Sequence, residues 1–303
     1  SSNDGTKTLS IATDSIPTIT QLDLSGSSIS NLSGIEYFTG LTTLNLSRNS
    51  ISDISKLSNL KSLTDLDLGT NSITNIDDIS TLTSLTSLKI SSNRISNIEP
   101  IRSLTKLQTL DLSNNAISDA KAVQSLRSLT SLDISSNSSL ANLSDVLMSQ
   151  LKVLDVDSTA IRDIEGIDNY GNLRELILSN NAISTLAPLF EEEEVDDEDV
   201  CKLRGLEKLD VSFTTKTGFS FSNLQGITSL KELYAQGNGI TNVRNIVGLE
   251  NLEYINLNDN EIEDISPFRV ETTKNGEKVV ELIGATQISL ANNEIEDISV
   301  LGS

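Results

Sequence analysis

Carboxylates are the residues of this chain that could do chemistry. Asp and Glu number 43 against 22 Lys and Arg, a net charge of −21. Two groupings stand out among them. Asp23, Asp67, Asp111, Asp133 and Asp155 recur at one position of a repeating pattern, interrupted by Asn45 and Lys89. Eight more crowd into Glu191–Asp199. Paired carboxylates can hydrolyse a glycosidic bond, but that work needs a cleft and an acid whose pKa is raised beside apolar rings. A regular stripe on an open sheet offers neither. The acidic run lacks the alternating ligands and central glycine of a calcium loop. There is no histidine, so the usual base for a Ser or Cys nucleophile is missing. Cys201 is the single cysteine, so no disulfide framework forms within the chain. No Gly-rich phosphate loop or G-x-S-x-G elbow occurs. The expectation is a non-enzymatic protein with no cofactor and no metal site.

What positions these carboxylates is a 22-residue unit, cleanest at residues 41–62, LTTLNLSRNSISDISKLSNLKS. Its apolar residues are spaced by two at Leu44 and Leu46, the period of a strand. They are then spaced by three at Ile51, Ile54, Leu57 and Leu60, which suits a 3₁₀-like return. So short a unit cannot bury its own apolar edge and needs copies on either side. Copies start at Ile19, Leu41, Leu63, Leu85, Leu107, Leu129, Leu151, Leu173, Leu206, Leu230, Leu252 and Ala285. The pattern L-x-x-L-x-L-x-x-N resembles the leucine-rich repeat. That resemblance implies an α/β-type solenoid: a right-handed horseshoe of about 12 repeats, with a parallel concave sheet and a 3₁₀ or irregular convex side.

Residues 1–18 read as a short cap over the first layer, followed by a repeat domain over 19–301. Two insertions interrupt it. The acidic stretch 191–201 is expected to be a mobile, exposed loop, because its charges repel one another. At 269–284, Asn275-Gly276 between β-formers predicts a projecting hairpin. Phe219 and Phe221 are placed to fill a widened turn in the unit at 206–229. The last unit stops short of its final turn, so its open layer is expected to meet a further domain unless the chain is a piece of a longer one.

The ninth position of the repeat carries Asn49, Asn71, Asn93, Asn115, Asn137, Asn181, Asn238, Asn260 and Asn293. Stacked along a solenoid, these side chains can bond backbone groups of adjacent turns, so their expected role is structural. Ser27, Thr159 and Thr214 break the ladder, each keeping one hydroxyl. Outward positions of the strands form the concave face. Its first half is bland, rich in Thr and Ser, and the simplest reading of its Asp stripe is a solvated surface. The second half holds Val153, Asp157, Ile177, Phe213, Glu232, Tyr234 and Tyr254. Tyr234 and Tyr254 belong on neighbouring strands, and exposed aromatics beside charges are the composition of a protein-binding hot spot.

The acidic balance argues against nucleic acid and against anionic membranes, both of which need clustered Lys or Arg. No apolar run is long enough to span a bilayer. The chain begins Ser-Ser-Asn-Asp, with none of the charged and apolar regions of a leader, so any leader of a precursor is expected to have been removed. The phrases ISDIS, ITNID, ISNIEP and IEDISP after the Asn make the repeats similar to the internalin-type repeats of Gram-positive surface proteins. That resemblance implies a monomeric, extracellular or cell-surface protein whose concave face binds a host or other protein ligand. Two alternatives stay open. One is an intracellular scaffold regulating an enzyme such as a phosphatase, since those repeats share the 22-residue period. The other is a carbohydrate- or metal-binding wall protein using the Asp stripe and the acidic loop.

Overall fold

The computed structural model describes residues 16, 18–143, 148–167, 170–183, 193–195, 198–200, 203–214, 224, 227–246, 249–274, 277–282 and 284–301. Nearly all of the predicted cap, together with Phe219, Phe221 and Cys201, lies outside them.

Each repeat contributes one three-residue strand. The strands are β1 (Gln21–Asp23), β2 (Thr43–Asn45), β3 (Asp65–Asp67), β4 (Ser87–Lys89), β5 (Thr109–Asp111), β6 (Ser131–Asp133), β7 (Val153–Asp155) and β8 (Glu175–Ile177). After a two-stranded insertion, β9 (Glu193–Val195) with β10 (Glu198–Val200), the array resumes with β11 (Lys208–Asp210), β12 (Glu232–Tyr234) and β13 (Tyr254–Asn256). A second pair, β14 (Arg269–Lys274) with β15 (Glu277–Leu282), precedes the last strand, β16 (Gln287–Ser289). The repeat strands form one parallel 12-stranded sheet in sequence order, and each insertion is an antiparallel pair outside it. This is the expected open solenoid. The return side of the repeats is extended chain with single 3₁₀ turns such as Ser55–Leu57, Glu99–Ser103 and Lys121–Ser125.

The register is strict because every layer buries the same side chains. In the second repeat Leu41, Leu44, Leu46, Ile51, Ile54, Leu57 and Leu60 are each at most 2% exposed. Burying one such side chain stabilises by about 1.5–3 kcal/mol, so a one-residue slip would cost several of these at once. Among the described residues the open layers are the terminal ones. Leu22, Leu24, Ile288 and Leu290 are partly buried, and Ile298 is 67% exposed.

Two features of the backbone escaped the sequence reading. The first is a column of left-handed residues at the eighth position of all twelve repeats, from Gly26 and Arg48 through Thr70, Asn114 and Phe213 to Asp259 and Asn292. This conformation ends the strand and turns the following Asn inward. Glycine, Asn and Asp tolerate it, and their recurrence at that position was the available signal. The second explains the ISDIS-type phrases. The Asp or Asn two residues after the first Ile accepts the N–H two residues on, as Asp53 does from Ser55 (2.9 Å) and Asn97 from Glu99 (3.0 Å). This Asx turn starts the 3₁₀ return.

Within the acidic stretch residues 193–195 pair with 198–200 in antiparallel register, Val195 opposite Glu198. Backbone hydrogen bonds hold such a pair whatever the side chains carry. Residues 191–192, 196–197 and 201 lie outside the described set. At the second insertion Lys274 pairs with Glu277, which encloses the two-residue Asn-Gly step that the sequence predicted.

Tyr170 stands where other repeats place Leu60, Leu82, Leu104, Leu126 or Met148. It is 1% exposed, and its hydroxyl has no hydrogen-bond partner among the described residues. Burial raises its phenol well above the usual tyrosine range. Tyr170→Phe removes the orphaned hydroxyl while keeping the ring, so it should raise stability by about 1 kcal/mol. A urea titration checks this, and a loss of stability would show that the hydroxyl has a partner.

Candidate functional site

The concave sheet exposes the third, fifth, seventh and eighth positions of each repeat, and the two halves of the chain use them differently. In the first half the small polar residues bond one another. Thr42, Thr64 and Thr86 each donate their hydroxyl to the second-position carbonyl of the preceding repeat, at 3.1 Å in each case. Apart from the exposed Asp23, the fifth-position acids are half-buried, and they act as turn formers. Asp111 Oδ1 accepts the Ser113 N–H and hydroxyl (3.0 and 2.6 Å), and Asp133 does the same from Ser135 (3.0 and 2.7 Å).

That stripe carries an electrostatic cost. Asp111, Asp133 and Asp155 sit in register on adjacent parallel strands, about 4.8 Å apart. Burial, with Asp133, Asp157 and Asp210 nearby, pushes Asp155 up to about 6 against the pull of the Asp157 N–H. Asp133 is raised for similar reasons. A carboxyl that holds its proton more tightly when folded destabilises the fold once ionised. The contribution of these two groups to stability is therefore most favourable below the unfolded value near pH 4 and is lost as the pH rises through about 6. Asp155→Asn keeps the turn acceptor and removes the charge. At neutral pH it should stabilise by about 1–2 kcal/mol after allowing for solvent screening. The gain should vanish below about pH 4. Melting temperatures of both proteins across that range test the sign, and an equal gain at every pH would refute the electrostatic origin.

The second half replaces this pattern with aromatic and long charged side chains. Tyr234 ends β12 and Tyr254 begins β13, diagonal neighbours across one strand pairing. Their rings lie 5.0 Å apart, tilted by 36°. Tyr234 donates its hydroxyl to Glu232 (3.1 Å), and the Lys208 ammonium lies 5.8 Å from the centre of its ring. Burial, then the hydrogen bond and charge of Glu232, push the Tyr234 phenol up to about 12, so it stays a neutral donor. Third-position residues alternate in sign along the strands, with Lys208 in register between Glu175 and Glu232. At the strand starts, Glu207 joins Lys231 (2.7 Å) and Arg174 (4.0 Å).

Phe213, 45% exposed, lies across Gly237 at the strand ends. A Cβ at Gly237 would come within 2.2 Å of the ring, and φ there is +67°, so this glycine is required on both counts. Among the predicted residues, Tyr234, Tyr254 and Glu232 come together. Ile177 is separated from Tyr234 by Asp210, a residue not singled out in the sequence. Val153 and Asp157 belong to the seventh repeat, further along the sheet. Asp157 spends one oxygen on Ser179 and Asn180, at 2.7 Å each. Among the described residues no helix is long and apolar enough to cross a membrane, and no cluster of His, Cys, Asp or Glu could hold a metal ion.

Comparison with known families matches "Leucine Rich repeats (2 copies)" to residues 39–82, 83–126, 105–148 and 228–270, together just over half of the chain. The chain belongs to the leucine-rich repeat family. A single "Leucine Rich Repeat" also matches residues 172–192. Among solved structures, an internalin (InlF) of Listeria monocytogenes is 29% identical with a TM-score of 0.66, covering 96% of this chain and 72% of its own. The functional domain of InlJ from Listeria monocytogenes is 23% identical with a TM-score of 0.72, over 95% of this chain and 57% of that one. A leucine-rich repeat protein of Leptospira interrogans is 24% identical with a TM-score of 0.69, over 86% and 62%. The last two likenesses speak for the fold. The InlJ domain is described as including a cysteine ladder, whereas the ladder of this internalin-like repeat chain is built from asparagine. No curated protein matches the chain.

Proposed function

We propose that this leucine-rich repeat chain is a non-enzymatic recognition module that binds a protein ligand through the C-terminal half of its concave face. The observation that carries the proposal is the stacked Tyr234–Tyr254 pair, half-buried on the open sheet and flanked by Lys208 and Glu232. Aromatic rings with polar tips, held rigidly beside charges, are the usual anchors of protein interfaces. In the other half of the sheet the third position holds Gln, Thr, Asp or Ser and the fifth Asp, Asn or Lys, which build the same solenoid without such rings. Phe213, Ile177, Asp157 and Val153 extend the surface around the anchors. The likeness to internalins supports placing the protein outside the cell, as an exported surface protein, and we take it to act as a monomer.

The test is capture of exported and cell-surface proteins by the immobilised domain, beside the Tyr234→Ala/Tyr254→Ala variant. A partner held by the wild type and lost by the folded variant supports the reading. A partner held equally by both, or no protein partner at all, overturns it.

A further inference from the structure

The N-terminal half of the curved sheet also carries a site, of different chemistry. An open hollow of 360 Å³ lies over Gly69, in the third repeat. Gly69 takes the seventh position, where the neighbouring repeats have Ser47 and Ser91. Its φ is not positive, so the backbone there does not require glycine; a Cβ would press on Asp67 Oδ1 (3.2 Å) and the Ser91 hydroxyl (3.3 Å), and its absence leaves both groups facing the hollow. Arg48 from the second repeat and Lys89 from the fourth flank the hollow, from strands about 10 Å apart and offset by three positions along the repeat. Lys89 replaces the aspartate of the Asp67 and Asp111 column, and Arg48 holds a left-handed position that suits Asn or Gly better. Both cations are exposed, and neither makes an ion pair among the described residues.

The hydroxyls of Thr70 and Ser91 line the same hollow and make no hydrogen bond among the described residues. Asp67, also in the lining, has one oxygen occupied by the Gly69 N–H (2.9 Å). Two cations and two free hydroxyl donors thus face one partly engaged carboxylate. On a chain of net charge −21 this is a local reversal of sign.

We propose that the hollow is a carboxylate-binding subsite, seating an aspartate or glutamate side chain of a protein ligand between Arg48 and Lys89. The subsite rests on the reading of the concave sheet as a protein-binding face and gives that face a second, acid-selective contact. Charge-assisted bonds from Arg and Lys to a carboxylate are strong enough to discriminate it from the isosteric amide.

The experiment is an NMR titration of the ¹⁵N-labelled domain with N-acetyl-glutamate N-methylamide, and in parallel with its glutamine analogue. The expected result is saturable shifts centred on the amides of Gly69, Thr70 and Ser91, with glutamine binding at least about tenfold more weakly. Arg48→Ser/Lys89→Asp and, separately, Gly69→Gln should abolish the shifts. Each variant installs a residue that other repeats carry at the same position (Ser92, Asp67 and Gln236), and unchanged amide shifts away from the hollow confirm that the fold is kept. Equal binding of the two probes, undiminished shifts in the variants, or no shifts at the hollow would overturn the subsite. The titration uses no protein partner, so its failure is separate from failure of the tyrosine-dependent capture.

Discussion

Asn137→Ala should destabilise the solenoid by about 3–4 kcal/mol, roughly twice the cost of Asn93→Ala, although the two residues occupy the same position of their repeats. Both amides donate to three carbonyls, and both carbonyl oxygens accept one N–H from the preceding repeat. For Asn137 the acceptors are Leu112, Ile134 and Ser135, and the donor is Ile117. For Asn93 they are Leu68, Ile90 and Ser91, with Ile73 as donor.

The difference lies in the next layer. Loss of Asn93 leaves Ile90 bonded by Asn115, Leu68 by Asn71 and Ser91 by the Thr70 N–H, so only the Ile73 N–H is orphaned. After Asn137 the next repeat carries Thr159, which is too short to reach back to Ile134. Removing Asn137 therefore orphans the Ile134 carbonyl and the Ile117 N–H together, at a residue with 0% exposure. Each unsatisfied buried group costs about 1–3 kcal/mol. Urea denaturation of the two variants gives the comparison, and hydrogen exchange at the Ile117 and Ile73 amides locates the damage. Equal losses would mean that another group, or water, satisfies Ile134.

Tyr234→Ala/Tyr254→Ala should weaken capture of the protein ligand by at least about 2 kcal/mol, near thirtyfold, while costing the fold about 1 kcal/mol or less. The asymmetry follows from placement. The rings stack on each other at 5.0 Å on the solvent side of the sheet, whereas the core beneath them is Leu233 and Ile255, both fully buried. Losing the rings removes their mutual contact and leaves the layer intact. The pair Tyr234→Phe/Tyr254→Phe separates the contributions. It keeps the stacking but deletes the hydrogen bond to Glu232, so an intermediate affinity would show that the phenol tips bind as well. Unchanged affinity in a folded alanine double variant would remove this face from the interaction.

The architecture was legible because each repeat writes it again. Leu44 and Leu46 at strand spacing, followed by Ile51, Ile54, Leu57 and Leu60 at spacing three, admit one arrangement that buries all six. The tyrosine pair was legible for the same reason, since position in the repeat fixes position on the sheet. What escaped was conformation that side-chain type only weakly reports. Arg48, Thr70 and Phe213 adopt left-handed φ angles of 57°, 57° and 53° because the turn imposes them, against their own preference. The acids of the fifth position read as a soluble surface, while their work as turn acceptors depends on the serine two residues on and on how far the sheet buries them. The hollow at Gly69 was hidden because it is made by an absent side chain in one repeat and by cations brought together from the repeats on either side.

The asparagine ties also run one way. Asn49, Asn71 and every later Asn of the ladder reach back to the repeat before them. Under tension such an array comes apart like a zip fastener, one tooth at a time. A stretched 22-residue repeat releases about 75 Å of chain, and each 33-residue repeat about 110 Å. Pulled from its two ends in an optical trap, the molecule should therefore lengthen as a staircase of near-equal steps, with the two longer treads marking the insertions.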